Sequence, residues 1–341
     1  MTMLKKKRVT ISEIAKLAGV STATVSRFIN GHYEKMALET REKIQKVIDE
    51  TGYHINRQAQ SLKIQSTHLI GVVVADIENI FSSILFKGAD EVFETSGYQI
   101  LLMNSDSSLA REHEQLQRLL DLQVDGIILQ PMSEKASDYA YLKANDTPVV
   151  IVDRKIIPQT WPEVTTDNYA YSKVLAQLMI RMGYARILVV SEPLAENAVR
   201  MDRYRAVKDA AIGTDTQVTH LELKNGLTKE LLYSKLMTET DNFAVKTAIY
   251  CLKGTVLMQV RTLLAEFHIT IPTDVGLTAF DDWNVAELMQ PQITTIQQQP
   301  KLMGQRAAEV LTQAFTGKTD APQVIQVESQ LMVRHSLMAD D

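Results

Sequence analysis

The chain has one cysteine, Cys251, in 341 residues. A single thiol cannot close an intramolecular disulfide, which fits a reducing cytoplasm. No run of 18 apolar residues occurs, so no membrane-spanning helix is expected. The basic start, MTMLKKKRVTISEI, has no apolar segment behind it, which argues against a secretory leader. The seven histidines are scattered, and there is no HExxH, no paired Cys/His cluster and no nucleophile elbow. No glycine-rich phosphate loop follows any of the apolar runs, which leaves a dinucleotide or P-loop site unsupported. These absences predict a cytoplasmic protein that is not an enzyme and calls for no cofactor and no metal. Glu112-His113-Glu114, the densest titratable triplet, reads as a solvated stretch of helix.

What is present is ordinary in bulk and uneven in distribution. A composition 45% hydrophobic and 23% charged is that of a globular protein, and the length implies two or three domains with sizeable cores. The net charge of −5 conceals an asymmetry. Residues 1–63 carry 12 Lys/Arg against 6 Asp/Glu, while the rest carries 24 against 35, a basic head of +6 on an acidic body of −11. Such a head predicts a polyanionic partner.

Local pattern sharpens that expectation. Thr10-Ile11-Ser12-Glu13 fits a capping box, and Ile11, Ile14, Ala15 and Ala18 follow at helical spacing. Gly19 supplies a turn, and Ser21 is a good N-cap for a second helix. A third helix is predicted over about 38–50, with Ile44, Val47 and Ile48 inward and Gly52 just past its end. Helix, glycine turn, short polar helix and third helix form a helix-turn-helix, whose second helix lies in the major groove of DNA. Small residues at Thr22 and Ala23 permit close approach to base edges. Ser21, Thr24 and Ser26 offer hydroxyls to phosphates, and Arg27 can reach a guanine or a phosphate. The competing reading is a plain three-helix bundle with a solvated polar face.

Thr10–Asn30, TISEIAKLAGVSTATVSRFIN, resembles the head of the LacI/GalR family of bacterial repressors. The resemblance implies that Thr22 and Ala23 read bases, that Ser21, Thr24 and Ser26 position the backbone, and that Arg27 reaches the groove floor; Thr10 and Asn30 belong to the same DNA-binding set. One departure is Ala37, where the family usually carries a serine capping the third helix. The following NRQAQSLK, residues 56–63, is similar to the family's hinge helix, which wedges a leucine into the minor groove. Leu62 holds that position, and Asn56, Arg57, Ala59 and Gln60 accompany it. Eight residues cannot sustain a helix alone in water, so this segment is expected to order on DNA. Paired hinges imply a homodimer and a near-palindromic double-stranded operator.

From Thr67 onward, apolar runs alternate with helical patterns: LIGVVVA (69–75), QILLM (99–103), GIILQ (126–130), VVIVD (149–153), RILVV (186–190), TAIYC (247–251) and VGLTAF (275–280). Helices are predicted near 83–96, 109–122, 169–182, 202–211 and 255–267. Repeated strand–helix units define an α/β chain with two doubly wound lobes, whose ligands lie beyond the carboxyl ends of the strands. The resemblance continues through VDGIILQP, TPVVIVDR, TTDN, GYARI, VGLTAFDD and TTIQQQPKLMG, and implies a two-lobed, periplasmic-binding-protein-like effector core with three crossovers. EKM, NRQAQSLK, VVADI, LFKG and TWPEVTTDN are similar to a subgroup regulating 2-keto-3-deoxygluconate and uronate use. The expected plan is a headpiece at 1–55, a hinge and linker at 56–66, and a core at 67–341. Lobe 1 is expected at about 67–163 and 295–322, and lobe 2 at about 164–294 and 323–341.

The resemblance further implies an effector pocket of Asp76, Asn79, Phe81, Gln130, Asp153, Arg203, Lys253 and Asp281. For any one of these alone, a polar surface-loop residue is the better reading, and their convergence is what the resemblance implies. The family commonly has Asn-Asp where Lys253-Gly254 stands, so a lysine beside Arg203 implies an anionic ligand such as a sugar acid; a lysine snorkelling to solvent is the alternative. Ala206 replaces a usual glycine and is expected to tighten local packing. Only a few residues follow LMVRHSL, so a leucine-heptad tetramerisation tail is not expected and a dimer is. The function implied is a dimeric repressor of carbohydrate genes, nucleoid-associated when bound, and modulated by a small carbohydrate. Alternatives are a regulator of the same fold answering a nucleobase, or a stand-alone sugar-binding protein. A phosphocarrier protein partner is left open.

Overall fold

In a computed structural model of the chain, describing residues 9–29, 31–34, 36–53, 66–224, 226, 228–281, 283–317 and 323–337, the chain divides into two units, residues 1–67 and 68–341. Among the described residues, the first is a headpiece of three helices, α1 (Ile11–Ala18), α2 (Thr22–Ile29) and α3 (Leu38–Thr51). The predicted capping box is formed. Thr10 N donates to Glu13 Oε2 at 2.8 Å, and Glu13 N donates back to Thr10 Oγ1 at 3.3 Å. Gly19 ends α1 at φ 66°, a left-handed conformation that a side chain would strain, and Gly52 ends α3 at φ 60°. Ile14, Ala15, Val25, Phe28, Met36 and Ile44 form the core, with Val47 and Ile48 packed against it.

α3 begins at Ala37 with no side-chain hydrogen bond on its first turn. The approach to it is held instead by Arg41, which donates to the Tyr33 carbonyl at 2.6 Å and the Met36 carbonyl at 3.0 Å. Ala37→Ser restores an oxygen for the open amides and is expected to add about 0.5–2 kcal/mol of headpiece stability. Urea unfolding followed by helical circular dichroism checks this, and an unchanged midpoint would show that the Arg41 latch leaves nothing for a cap to add.

The second unit holds two six-stranded sheets. Strands β1 (Leu69–Val74), β2 (Gln99–Asn104), β3 (Gly126–Leu129), β4 (Val149–Val152) and β5 (Glu163–Thr165) lie in the first. Its order is completed by β11 (Val324–Gln326), as β11-β5-β4-β3-β1-β2, parallel throughout. The second takes β6 (Arg186–Ser191), β7 (Gln217–Glu222), β8 (Thr247–Cys251), β9 (Gly276–Phe280), β10 (Thr294–Gln297) and β12 (Gln330–Met332). Its order is β12-β10-β9-β8-β6-β7, with only the β10–β12 pair antiparallel. The central strands are buried on both faces, the reason apolar residues fill consecutive positions rather than alternate ones, with Thr247 and Thr278 the buried polar exceptions. Helix α4 (Ile80–Thr95) follows β1 and α5 (Leu109–Asp121) follows β2; a single 3₁₀ turn leads into α6 (Ala140–Ala144). In the second lobe α7 (Asn168–Arg181), α8 (Ala198–Ala211), α9 (Lys229–Thr240) and α10 (Gly254–Glu266) cover the sheet, while α11 (Pro300–Phe315) returns to the first lobe.

The chain therefore changes lobes three times: after β5, after β10 and after β11. These pairings move the expected lobe limits. Thr294–Gln297, whose residues from 295 the sequence reading gives to lobe 1, hydrogen-bonds to β9 in the second sheet. Residues 164 and 165 and Val324–Gln326, given to lobe 2, pair in the first sheet. Hydropathy runs look alike in both sheets, and only inter-strand hydrogen bonds decide membership. Helix α8 starts at Ala198, four residues before its predicted 202, because Asn197 caps it through Arg200 N. Ala206 is fully buried on that helix. α4 and α11 meet backbone to backbone: a Cβ at Gly88 would strike the Lys301 carbonyl, and one at Gly304 the Leu85 carbonyl. Among the described residues, no helix is long and apolar enough to cross a membrane.

Candidate nucleic-acid interface and effector cleft

On the headpiece, Val25 and Phe28 anchor α2 inward, and the opposite face is left to Ser21, Thr22, Ala23 and Arg27, all exposed. Thr24 and Ser26 are half-buried at its margin. Ser21 caps the helix by accepting from Thr24 N at 3.1 Å, and its hydroxyl lies 2.8 Å from that of Thr24. Thr10 is engaged in the capping box described above. The face thus combines short side chains, two oriented hydroxyls and one projecting guanidinium, a shape and polarity suited to a major groove. Asn30, Asn56, Arg57, Ala59, Gln60 and Leu62 lie outside the described residues.

In the second unit, all eight residues expected in the effector pocket line one cleft. The sheet ends explain the convergence. Asp76, Asn79 and Phe81 follow β1, Gln130 follows β3 and Asp153 follows β4; from the other lobe, Lys253 follows β8 and Asp281 follows β9. Asp153 and Asp281 adopt φ values of 65° and 82°. Their short carboxylates tolerate this left-handed turn, which bends the chain off the sheet end. Gln130 accepts from Ala75 N at 2.9 Å and donates to Asp153 at 2.7 Å, tying two strand ends together. Asn79 caps α4 by accepting from Phe81 N at 3.2 Å.

Arg203 is 4% exposed and fixed from three sides. Nε donates to Asn168 Oδ1 at 2.9 Å and Nη1 to the Leu252 carbonyl at 2.6 Å, and the guanidinium lies 3.5 Å above the centre of the Phe280 ring. Asp281, equally buried, accepts from Gln298. Burial pushes its carboxyl above the usual aspartate range, with Arg203 and the Gln298 amide pulling it back. Nine further liners are absent from the sequence-based set, six of them polar or charged: Ser82, Ser107, Arg154, Asn197, Arg200 and Gln298. Arg200 was legible, being three residues before Arg203 on the same helix and so on nearly the same face.

Lys253 behaves as neither sequence alternative describes. Its ammonium is neither bare in the cleft nor out in solvent; it donates to Glu192 Oε1 at 3.1 Å. Gly254 beside it is required by packing, because a Cβ there would lie 2.6 Å from the Trp283 ring.

Glu112 also departs from expectation. It is fully buried rather than solvated, because it shares the inward face of α5 with Leu116 and Leu119. Tyr139 donates to it at 2.6 Å and Met132 N at 2.9 Å, close behind Gln130. Burial lifts its carboxyl to about 7, with Tyr139, Met132 N and Arg154 opposing. Between about 4.5, its ordinary value, and about 7, the folded core keeps a proton that the unfolded chain releases. Stability from this group is thus present at low pH and lost as pH rises through that window, on the order of 3 kcal/mol by pH 8. Glu112→Gln should flatten this dependence in urea titrations at pH 5 and 8; a variant retaining the wild-type difference would assign it to other groups.

A groove-reading headpiece joined in one chain to a two-lobed small-molecule cleft is the construction of a ligand-responsive transcriptional regulator. Residues 10–56 match the family of bacterial regulatory proteins, lacI family, and residues 67–335 match the periplasmic binding proteins and sugar binding domain of the LacI family. The chain is 34% identical, over 98% of its length and all of the relative's, to the HTH-type transcriptional regulator KdgR of Bacillus subtilis (strain 168). It is 33% identical to the HTH-type transcriptional regulator PtxS of Pseudomonas putida, over 97% of this chain and 96% of that one. A crystal structure of the lac repressor dimer bound to operator and the anti-inducer ONPF shares the fold, with a TM-score of 0.83 and 20% identity over 98% of this chain and all of that one. The protein belongs to the LacI family and is a DNA-binding transcriptional regulator, not an enzyme.

Proposed function

We propose that the protein is a cytoplasmic homodimeric repressor of carbohydrate-use genes, nucleoid-associated when bound, whose hold on a near-palindromic operator is altered by a sugar acid. The observation that carries the ligand class is the composition of the cleft. Among the described residues, its lining has four cations, Arg154, Arg200, Arg203 and Lys253, against three carboxylates, Asp76, Asp153 and Asp281. Carboxylates and amides at strand ends accept from and donate to hydroxyls, while the guanidinium forks suit a ligand carboxylate. The lining comes from both lobes, so a ligand held there bears on their relative setting. Operator and ligand then oppose each other through linkage whenever they favour different settings.

On the DNA side, Thr22 and Ala23 read base edges, Ser21, Thr24 and Ser26 position the backbone, Arg27 supplies the long contact, and Thr10 and Asn30 complete the set. Asn56, Arg57, Ala59, Gln60 and Leu62 form the hinge contribution. Arg27→Ala is expected to weaken binding to a selected operator by about 1–3 kcal/mol. If Arg27 reads a guanine, specificity relaxes at one base position; if it holds a phosphate, all sequences weaken alike and the salt slope falls by about one. Gel shifts on operators selected from random duplexes at two ionic strengths separate these. Full affinity in the variant would remove Arg27 from the interface. The ligand is tested by a thermal-shift screen of neutral sugars, sugar phosphates, sugar acids and nucleobases, followed by gel shift with the hits. Stabilisation by neutral sugars or nucleobases alone would overturn the sugar-acid assignment.

A further inference from the structure

Behind the cleft, a single carboxylate restrains two of its cations. Glu192 directly follows Ser191, the last residue of β6, the kind of strand-end position that places Asp76, Asp153 and Asp281. Lys253 Nζ donates to Glu192 Oε1 at 3.1 Å, and Arg200 Nη2 lies 3.0 Å from Oε2. Arg200 Nη1 also donates to the Pro193 carbonyl at 3.1 Å, so its guanidinium is aimed by the same turn. The turn is itself tethered: Ser191 Oγ donates to the Glu192 carbonyl at 2.7 Å and lies 2.9 Å from His220 Nε2. The carboxylate is 30% exposed and the Lys253 and Arg200 side chains 20% and 16%, which leaves limited solvent to screen them. Burial works to raise the Glu192 carboxyl, but Lys253 and Arg200 outweigh it and hold the group below its ordinary value. Glu192 is therefore ionised at neutral pH.

Lys253, Arg200 and Glu192 together carry a single positive charge at this end of the cleft. We propose that Glu192 sets the charge of the ligand this end of the cleft accepts, matching a monoanionic carboxylate and rejecting a dianionic phosphate ester. A carboxylate carries one charge, which the trio neutralises. A phosphate monoester carries roughly −1.5 to −2 at neutral pH, and the excess meets the Glu192 carboxylate in a half-buried setting where like charges repel strongly. Rejection is thus built into the site as a fixed repulsive group, beside the attractive ones. The lysine that distinguishes this cleft supplies attraction, and Glu192 limits it. This inference rests on the sugar-acid reading above.

Isothermal titration with D-glucuronate and D-glucose 6-phosphate tests it, because the two place one and about two negative charges on the same carbon of the same ring. 2-Keto-3-deoxygluconate serves as a second monoanion. The full-length protein is expected to prefer the monoanions. Glu192→Gln should raise affinity for glucose 6-phosphate relative to glucuronate by about tenfold. The double variant Glu192→Gln/Lys253→Gln, which returns the trio to a single positive charge, should restore the original ranking, a result that a merely structural Glu192 would not give. Glucuronate binding with an unchanged ratio in Glu192→Gln overturns the inference and leaves the sugar-acid reading standing. So does a wild-type protein that binds glucose 6-phosphate as tightly as glucuronate, a measurement that needs no variant to fold. Binding of neither monoanion overturns the sugar-acid reading, and this inference with it.

Discussion

Gly304→Ala is expected to destabilise the core by about 3 kcal/mol or more, the upper part of the range for overpacking, and to lower its thermal midpoint by roughly 5–10 °C. The reason is the closeness of α4 and α11. Their approach is set by two glycines facing opposite backbones, and the Cβ of alanine at 304 has the Leu85 carbonyl in its place. A flexible side chain could turn aside; a helix carbonyl can move only with its helix. That helix also carries Phe81, Leu85 and Phe93 in the first-lobe core, and α11 carries Met303, Ala307 and Leu311. Separating the pair opens this core along its length. Gly88→Ala, which meets the Lys301 carbonyl, should do the same. Differential scanning of both against an exposed control such as Ser83→Ala checks it. A Gly304→Ala core as stable as wild type would mean that the two helices do not touch as closely as described.

Arg203→Leu is expected to abolish the response to effector while leaving operator affinity within about threefold of wild type. Truncating one partner of a buried, hydrogen-bonded charge costs about 2–5 kcal/mol, at least about thirtyfold in effector affinity. The guanidinium joins Asn168, the Leu252 carbonyl and Phe280, and it restrains the charge of Asp281. Leucine keeps the contact with Phe280 but releases all three polar partners. Arg203→Lys retains the charge without the fork and should fall between the two. Effector titrations of the protein–operator complex, read by gel shift, distinguish the outcomes. An Arg203→Leu protein that still answers effector at wild-type concentrations would place the ligand elsewhere.

The elements most legible in the sequence were those whose physics is local. A capping box, a glycine in the left-handed region and an apolar spacing of three and four were enough for the headpiece helices. The central strands announced themselves because burial on both faces fills consecutive positions with apolar residues, Thr247 and Thr278 apart. Several short or mixed strands did not, although the edge strand Gln99–Asn104 did. Gln217–Glu222 is an edge strand with mixed burial, and Glu163–Thr165 and Val324–Gln326 are three residues each, too short to show a period. Helix α11 was within reach of the sequence, since Pro300 opens it at a position that suits proline. The cleft set came from the family resemblance; most of its liners stand at strand ends, and that position would also have pointed to Glu192. Glu112 was missed because a run of charges was read as exposed, although Leu116 and Leu119 fix its face of the helix. What one dimension withheld was pairing: that Lys253 meets Glu192, sixty-one positions away, is visible only in the folded chain.

Because the chain passes between the sheets three times, neither lobe corresponds to one continuous stretch of gene. A single recombination breakpoint between two relatives within the core splits at least one hydrophobic interior between parents and mates segments with no shared packing history. Exchange of an intact lobe requires several simultaneous junctions. Ligand preference in such a molecule is therefore reshaped by individual codons at the strand ends, while the headpiece, a contiguous segment upstream, can be traded whole.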